Sequence, residues 1–183
     1  VLKIPEGDAW TYELKLDGFR AQAIRDLRSV RLLSRNGKDF TKKYPVVVQE
    51  LYAALEPDTA LDGELVAFDD AGKMSFNALQ NAKPETTVVF FAFDVLVSRG
   101  TDVKMLPLAE RRDLLSRILT PSNRVQRSEH FCGALSKFVG AVKEIGGEGV
   151  VAKRLDSRYE PGRRSGSWSK MRLNIGQEFV IGG

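Results

Sequence analysis

The chain has 183 residues, with 28 basic against 24 acidic side chains and a formal charge of +4. It is long enough for one sizeable core but not two, and its slight basic excess suits a polyanionic partner or plain solubility equally. A single cysteine, Cys132, and a single histidine, His130, exclude an internal disulfide, cysteine-rich or multi-histidine metal sites and the usual histidine triads. Lysine, arginine and carboxylates are left to carry any chemistry. No stretch approaches a membrane span, and the opening VLKIPEGDAW lacks the build of a signal peptide. The expected setting is a reducing cytoplasm with no membrane partner. A first residue other than methionine predicts a piece of a longer protein.

WTYELKL, residues 10–16, alternates as a strand does. Trp10, Tyr12, Leu14 and Leu16 are expected to pack inward. Thr11, Glu13, Lys15 and Asp17 share the other face, open to water or lining a polar cleft. Asp17-Gly18 reads as a hairpin turn, followed by the strands FRAQAIR and VRLLSR and a second turn at Asn36-Gly37. YPVVVQELYAAL predicts a helix with Pro45 in its first turn and Val48, Leu51 and Leu55 at core spacing. Asp62-Gly63 reads as a third turn leading into ELVAF, and MSFNALQNA as a short helix. TVVFFAFDVLV, residues 87–97, is apolar and β-rich enough for a sheet centre. PLAERRDLLSRIL and ALSKFVGAVKEIG are amphipathic helices flanking a short strand near Val125, and GVVAKRL, SWSKMR and QEFVIGG return to strands. Hairpins mixed with single helices predict an α+β fold with largely antiparallel sheets flanked by helices, in one domain over residues 1–183.

Lys15 followed by Asp17-Gly18 has two readings: a surface strand ending in a hairpin, or a nucleophile. A lysine amine can attack the α-phosphorus of a nucleotide only when neutral, and its reference pKa is about 10.4. Cationic neighbours and a bound metal favour the neutral form; carboxylates such as Glu13 and Asp17 oppose it. Several further segments recur in order: Lys15-Leu16-Asp17-Gly18-Phe19-Arg20, Ser34-Arg35-Asn36-Gly37, Asp62-Gly63-Glu64, Phe91-Ala92-Phe93-Asp94, Glu148-Gly149-Val150-Val151-Ala152-Lys153 and Trp168-Ser169-Lys170-Met171-Arg172. From about residue 10 onward this set resembles the nucleotidyltransferase (adenylation) domain of ATP-dependent DNA ligases, and most closely the ligase module of bacterial end-joining ligases.

The resemblance implies the ligase nucleotidyltransferase (ATP-grasp-like) fold, with a nucleotide cleft between sheets, and assigns roles. Lys15 becomes linked to AMP from ATP. Glu13 accepts from the exocyclic amine of adenine, Leu16 lines the nucleotide site, and Arg20 holds the ribose or phosphate end. Glu64 contacts the ribose hydroxyls, while Phe93, in preference to Phe91, stacks on adenine opposite Val151. Lys153 and Lys170 converge on the α-phosphate. Glu148, with Asp17 near a metal-bound water, would hold Mg2+, for which Mn2+ can substitute. Arg35, Arg163, Arg164 and Arg172 would contact nicked or broken double-stranded DNA through its phosphates; the family usually has a lysine where Arg172 stands. An OB domain of the same parent chain would follow, starting at about residues 176–183, and a Ku-type end-binding protein is an expected partner in a bacterial, nucleoid-associated setting. An RNA ligase or capping-type nucleotidyltransferase would share the lysine motif. A catalytically silent nucleic-acid-binding module would share the basic excess.

Overall fold

The computed structural model describes residues 4–163 and 165–173. The elements are β1 (Trp10–Leu14), β2 (Phe19–Arg25), β3 (Val30–Ser34), α1 (Pro45–Ala54), β4 (Thr59–Phe68), α2 (Phe76–Gln80), β5 (Thr87–Ser98), β6 (Thr101–Asp102), α3 (Leu108–Ile118), β7 (Val125–Arg127), β8 (His130–Phe131), α4 (Leu135–Glu144), β9 (Gly149–Arg154) and β10 (Trp168–Arg172). The QEFVIGG run and Arg164 lie outside the described residues. No described helix is long and apolar enough to cross a membrane.

The strands form two sheets. One has the order β10-β9-β1-β8 and the other β3-β2-β4-β5-β6, with β7 added beside β5. All named pairs are antiparallel except β5 with β7. The sheet-centre expectation for residues 87–97 holds: β5 is flanked by β4 on one side and by β6 and β7 on the other, so its β-branched and aromatic residues bury both faces. Val47, Leu51 and Ala54 turn one stripe of α1 into the larger core, and Leu115 and Ile118 do the same for α3. A second, smaller core joins Tyr12, Val150 and Ala152 of the small sheet to Leu135 and Val142 of α4.

One local expectation is settled and two are corrected. The first strand stops at Leu14, and of the two readings of its polar face the polar cleft holds: Glu13 is buried, bonded by Arg112 of α3, and lines the cleft together with Lys15 and Asp17. Asp17-Gly18 makes no hairpin, since β1 and β2 lie in different sheets; it is the crossover between them. Gly18 is required there by proximity, as a Cβ would sit 2.0 Å from the Leu65 carbonyl oxygen. Asp62-Gly63 is no turn either but runs through the middle of β4. A Cβ at Gly63 would meet the Phe90 ring at 2.4 Å, so the glycine marks a close approach of neighbouring strands rather than a bend.

Candidate active site

A cleft of about 160 Å³ opens between the two sheets, lined by Glu13, Leu14, Lys15, Leu16, Asp17, Gly18, Arg20, Glu64, Phe93, Val151, Lys153, Trp168 and Lys170. Strand register brings these side chains together. Glu13 lies opposite Val151 and Thr11 opposite Lys153 on β9; Trp168 and Lys170 of β10 pair with Lys153 and Val151. Across the cleft Arg20 of β2 pairs with Glu64 of β4. Lys15 follows the end of β1, but its amide still bonds the Gly149 carbonyl at 2.9 Å. The Lys15 side chain is thereby held at the seam by main chain.

The charges are paired in a definite way. The Lys15 ammonium donates to Glu148, whose other carboxylate oxygen lies 3.1 Å from Arg172 Nε. Arg20 grips Asp62 through Nε at 3.1 Å and Nη2 at 2.6 Å, and the Tyr159 hydroxyl donates to the same carboxylate at 2.7 Å. Glu13 accepts from Lys153 Nζ at 2.8 Å, from Ser128 Oγ at 3.3 Å and from Arg112. The Lys153 ammonium also sits 4.3 Å from the Phe93 ring centre and 4.1 Å from that of Trp168, and the two rings meet edge to face at 5.7 Å. One face of Phe93 is thus already covered, and the cleft is smaller than the ~300 Å³ at the lower end for small-molecule pockets.

Burial pushes the Glu64 carboxyl up to about 7, against the pull of Lys170, Arg20 and Lys15. Desolvation, then the nearby Arg20, draws the Lys170 amine down, which favours the neutral form. Full burial likewise lowers Lys153, with Glu13 opposing the shift. Deeper in the larger sheet, Asp94 and Arg111 form a fully buried bidentate pair, with Nε to Oδ1 at 2.7 Å and Nη2 to Oδ2 at 2.9 Å. Asp94 therefore anchors α3 to β5 rather than facing the cleft.

All the expected catalytic and nucleotide-site residues, Lys15, Asp17, Lys170, Glu13, Leu16, Arg20, Glu64, Phe93, Val151 and Lys153, line this one cleft. Glu148 adjoins it through Lys15. Among the described residues no group of three or more histidine, cysteine, aspartate or glutamate side chains could cage a metal ion. Arg35 is exposed and close enough to act on Lys170; Arg163 and Arg172 are exposed, and Arg164 lies outside the described residues. The residue types alone did not reveal Trp168, Asp62, Tyr159 or Arg112. Trp168 stood inside a quoted motif. Arg112 gave only the tandem Arg111-Arg112 on a helix as its signal.

Two largely antiparallel sheets closing on a lysine-bearing cleft are the arrangement of the nucleotidyltransferase class, to which similarity to known proteins assigns the chain. Residues 1–172 match the family described as ATP dependent DNA ligase domain, and the chain belongs to that family. It is 38% identical over 186 residues to the multifunctional non-homologous end joining protein LigD of Pseudomonas aeruginosa, covering 98% of this chain and 22% of that protein. The LigD of Mycobacterium tuberculosis is 38% identical over 174 residues, 95% of this chain and 23% of that protein. Among solved structures, mycobacterial DNA ligase D complexed with ATP and MES aligns with a TM-score of 0.77 at 36% identity, covering 89% of this chain and 54% of that one. The chain spans just under a quarter of the length of these two curated relatives.

Proposed function

We propose that this chain is the adenylation unit of an ATP-dependent DNA ligase that seals nicks or breaks in end joining. The observation that carries the reading is Lys15, held by main chain at the mouth of a cleft whose walls bear Glu13, Glu64, Phe93, Lys153 and Lys170. The neutral Lys15 amine attacks the α-phosphorus of ATP; the N–P bond forms as the bond to the bridging oxygen breaks, and pyrophosphate leaves. A DNA 5′-phosphate oxygen then takes the AMP and frees Lys15. Attack by a 3′-hydroxyl closes the strand and expels AMP.

Before the first step Lys15 must part from Glu148. Glu13 reads the adenine amine, Glu64 accepts from the ribose hydroxyls, and Arg20 holds the ribose or phosphate end. Leu16, Val151 and Phe93 enclose the base. Lys153 and Lys170 neutralise the α-phosphate, and burial, which draws the Lys170 amine down from its ordinary value, eases proton exchange there. Glu148 and Asp17 are hard oxygen donors at the cleft, and a set of one or two carboxylates fits Mg2+, which otherwise relies on substrate phosphates and water; Mn2+ shares that preference. The metal would supply charge neutralisation on the departing pyrophosphate. Arg35, Arg163 and Arg172, with Arg164, form the DNA-phosphate contacts. An OB domain of the same parent and a Ku-type end-binding partner belong to this reading, supported by the end-joining names of the relatives.

Intact mass before and after ATP with magnesium, followed by pyrophosphate, tests the proposal. The expected result is one AMP adduct that maps to Lys15, disappears with pyrophosphate and is absent in Lys15→Ala. An adduct persisting in Lys15→Ala would assign the nucleophile elsewhere.

A further inference from the structure

Arg111 and Arg112 are consecutive on α3, yet they serve different sheets. Arg111 turns to Asp94 of β5 in the large sheet, whereas Arg112 reaches Glu13 of β1 in the small one. Glu13 does not need Arg112 for charge, because Lys153 already lies 2.8 Å from its Oε2. Arg112 adds geometry. One arm of its fork holds Glu13 Oε1, and the other donates to the Ser128 carbonyl at 2.9 Å and meets His130 Nδ1 at 2.8 Å. The Ser128 hydroxyl closes the loop by donating to Glu13 Oε2. The Arg112 Nε is buried with no hydrogen-bond partner among the described residues, so the contacts of the guanidinium run through its two terminal nitrogens. The planar guanidinium makes this three-way connection from two separate nitrogens, whereas an ammonium would have to reach all three partners from one atom.

We infer that Arg112 is a positioning residue for base selection, fixing the direction in which the Glu13 carboxylate presents its free lone pairs to a purine. The inference rests on the reading that Glu13 accepts from the exocyclic amine. Adenine offers a donor at that edge where guanine offers the O6 acceptor. A carboxylate locked toward that position repels O6. One free to rotate can accept from guanine N1–H instead, so discrimination depends on the lock and not on the charge.

Calorimetric titration of the chain with AMP and with GMP tests this, in the wild type, Arg112→Met, Arg112→Lys, Glu13→Gln and the double variant Arg112→Met/Glu13→Gln. Wild type should prefer AMP by about tenfold or more, the scale of one hydrogen bond to a charged acceptor. Arg112→Met should reduce that preference by about fivefold or more, chiefly by gaining GMP affinity. Arg112→Lys, which keeps a cation, should lose the preference as well. In the Glu13→Gln background Arg112→Met should change nothing further, because its effect passes through Glu13. Full preference retained in folded Arg112→Met or Arg112→Lys, or an undiminished effect in the double variant, would overturn the inference. A wild type that binds AMP and GMP alike would instead overturn the role of Glu13 itself.

Discussion

Replacing Glu64 by glutamine should stabilise the protein, and increasingly so as the pH rises. Burial lifts the Glu64 carboxyl from 4.5 to about 7, so between those values the folded chain holds a proton that the unfolded chain has released. Stability in the wild type therefore falls as pH climbs through this window and levels off above the folded value. At 1.36 kcal/mol per pKa unit, the penalty is about 1 kcal/mol at pH 5 and about 3 kcal/mol by pH 8. Glu64→Gln carries no titrating group and escapes it. For a domain of this size the pH 8 difference corresponds to a Tm higher by roughly 6 to 12 °C. Paired thermal melts at pH 5 and pH 8, followed by circular dichroism, provide the assay. A gap between the two proteins that stays constant from pH 5 to pH 8, or a variant less stable at pH 8, would refute the reasoning. The same substitution removes the acceptor assigned to the ribose, so nucleotide affinity should fall while Tm rises.

Two further substitutions probe the frame. Arg111→Met strands the buried Asp94 carboxylate and should cost about 3–5 kcal/mol, read from urea unfolding midpoints; a loss under about 1 kcal/mol would mean that the pair does not anchor α3. Gly63→Ala forces a methyl group against the Phe90 ring and the Phe91 carbonyl, and should destabilise by about 1–3 kcal/mol. An unchanged melting curve would return Asp62-Gly63 to the turn first read there.

Periodicity along the chain sufficed for α1, α3, α4 and the long apolar β5, because each satisfies its pattern within its own residues. It misled at Asp17-Gly18 and Asp62-Gly63, where aspartate-glycine carries the local signature of a turn. There the requirement was spatial: a neighbouring strand passes too close for a side chain, and Asp62 is held by Arg20 and Tyr159. The cleft residues were legible as ordered motifs, but their partners were not. Glu13 finds Arg112 and Lys153, both far along the chain, and nothing in the local pattern around Glu13 encodes either. His130 was set aside because a single histidine makes no triad. Its contact with Arg112 is a supporting role that counting residue types does not detect.

The small sheet joins residues from opposite stretches of the chain: Thr11 pairs with Lys153, and Lys153 with Trp168. The large sheet needs nothing beyond β7. During synthesis, which adds roughly 5–20 residues per second, the larger layer can form while β1 waits on the ribosome with neither of its flanking strands. Lys15 is made before β9 and β10, so the cleft around it is complete only when those strands emerge with Val151, Lys153, Trp168 and Lys170. A nascent chain that ends before Trp168 lacks β10, and with it the Trp168 and Lys170 side chains that line the cleft proposed to take ATP.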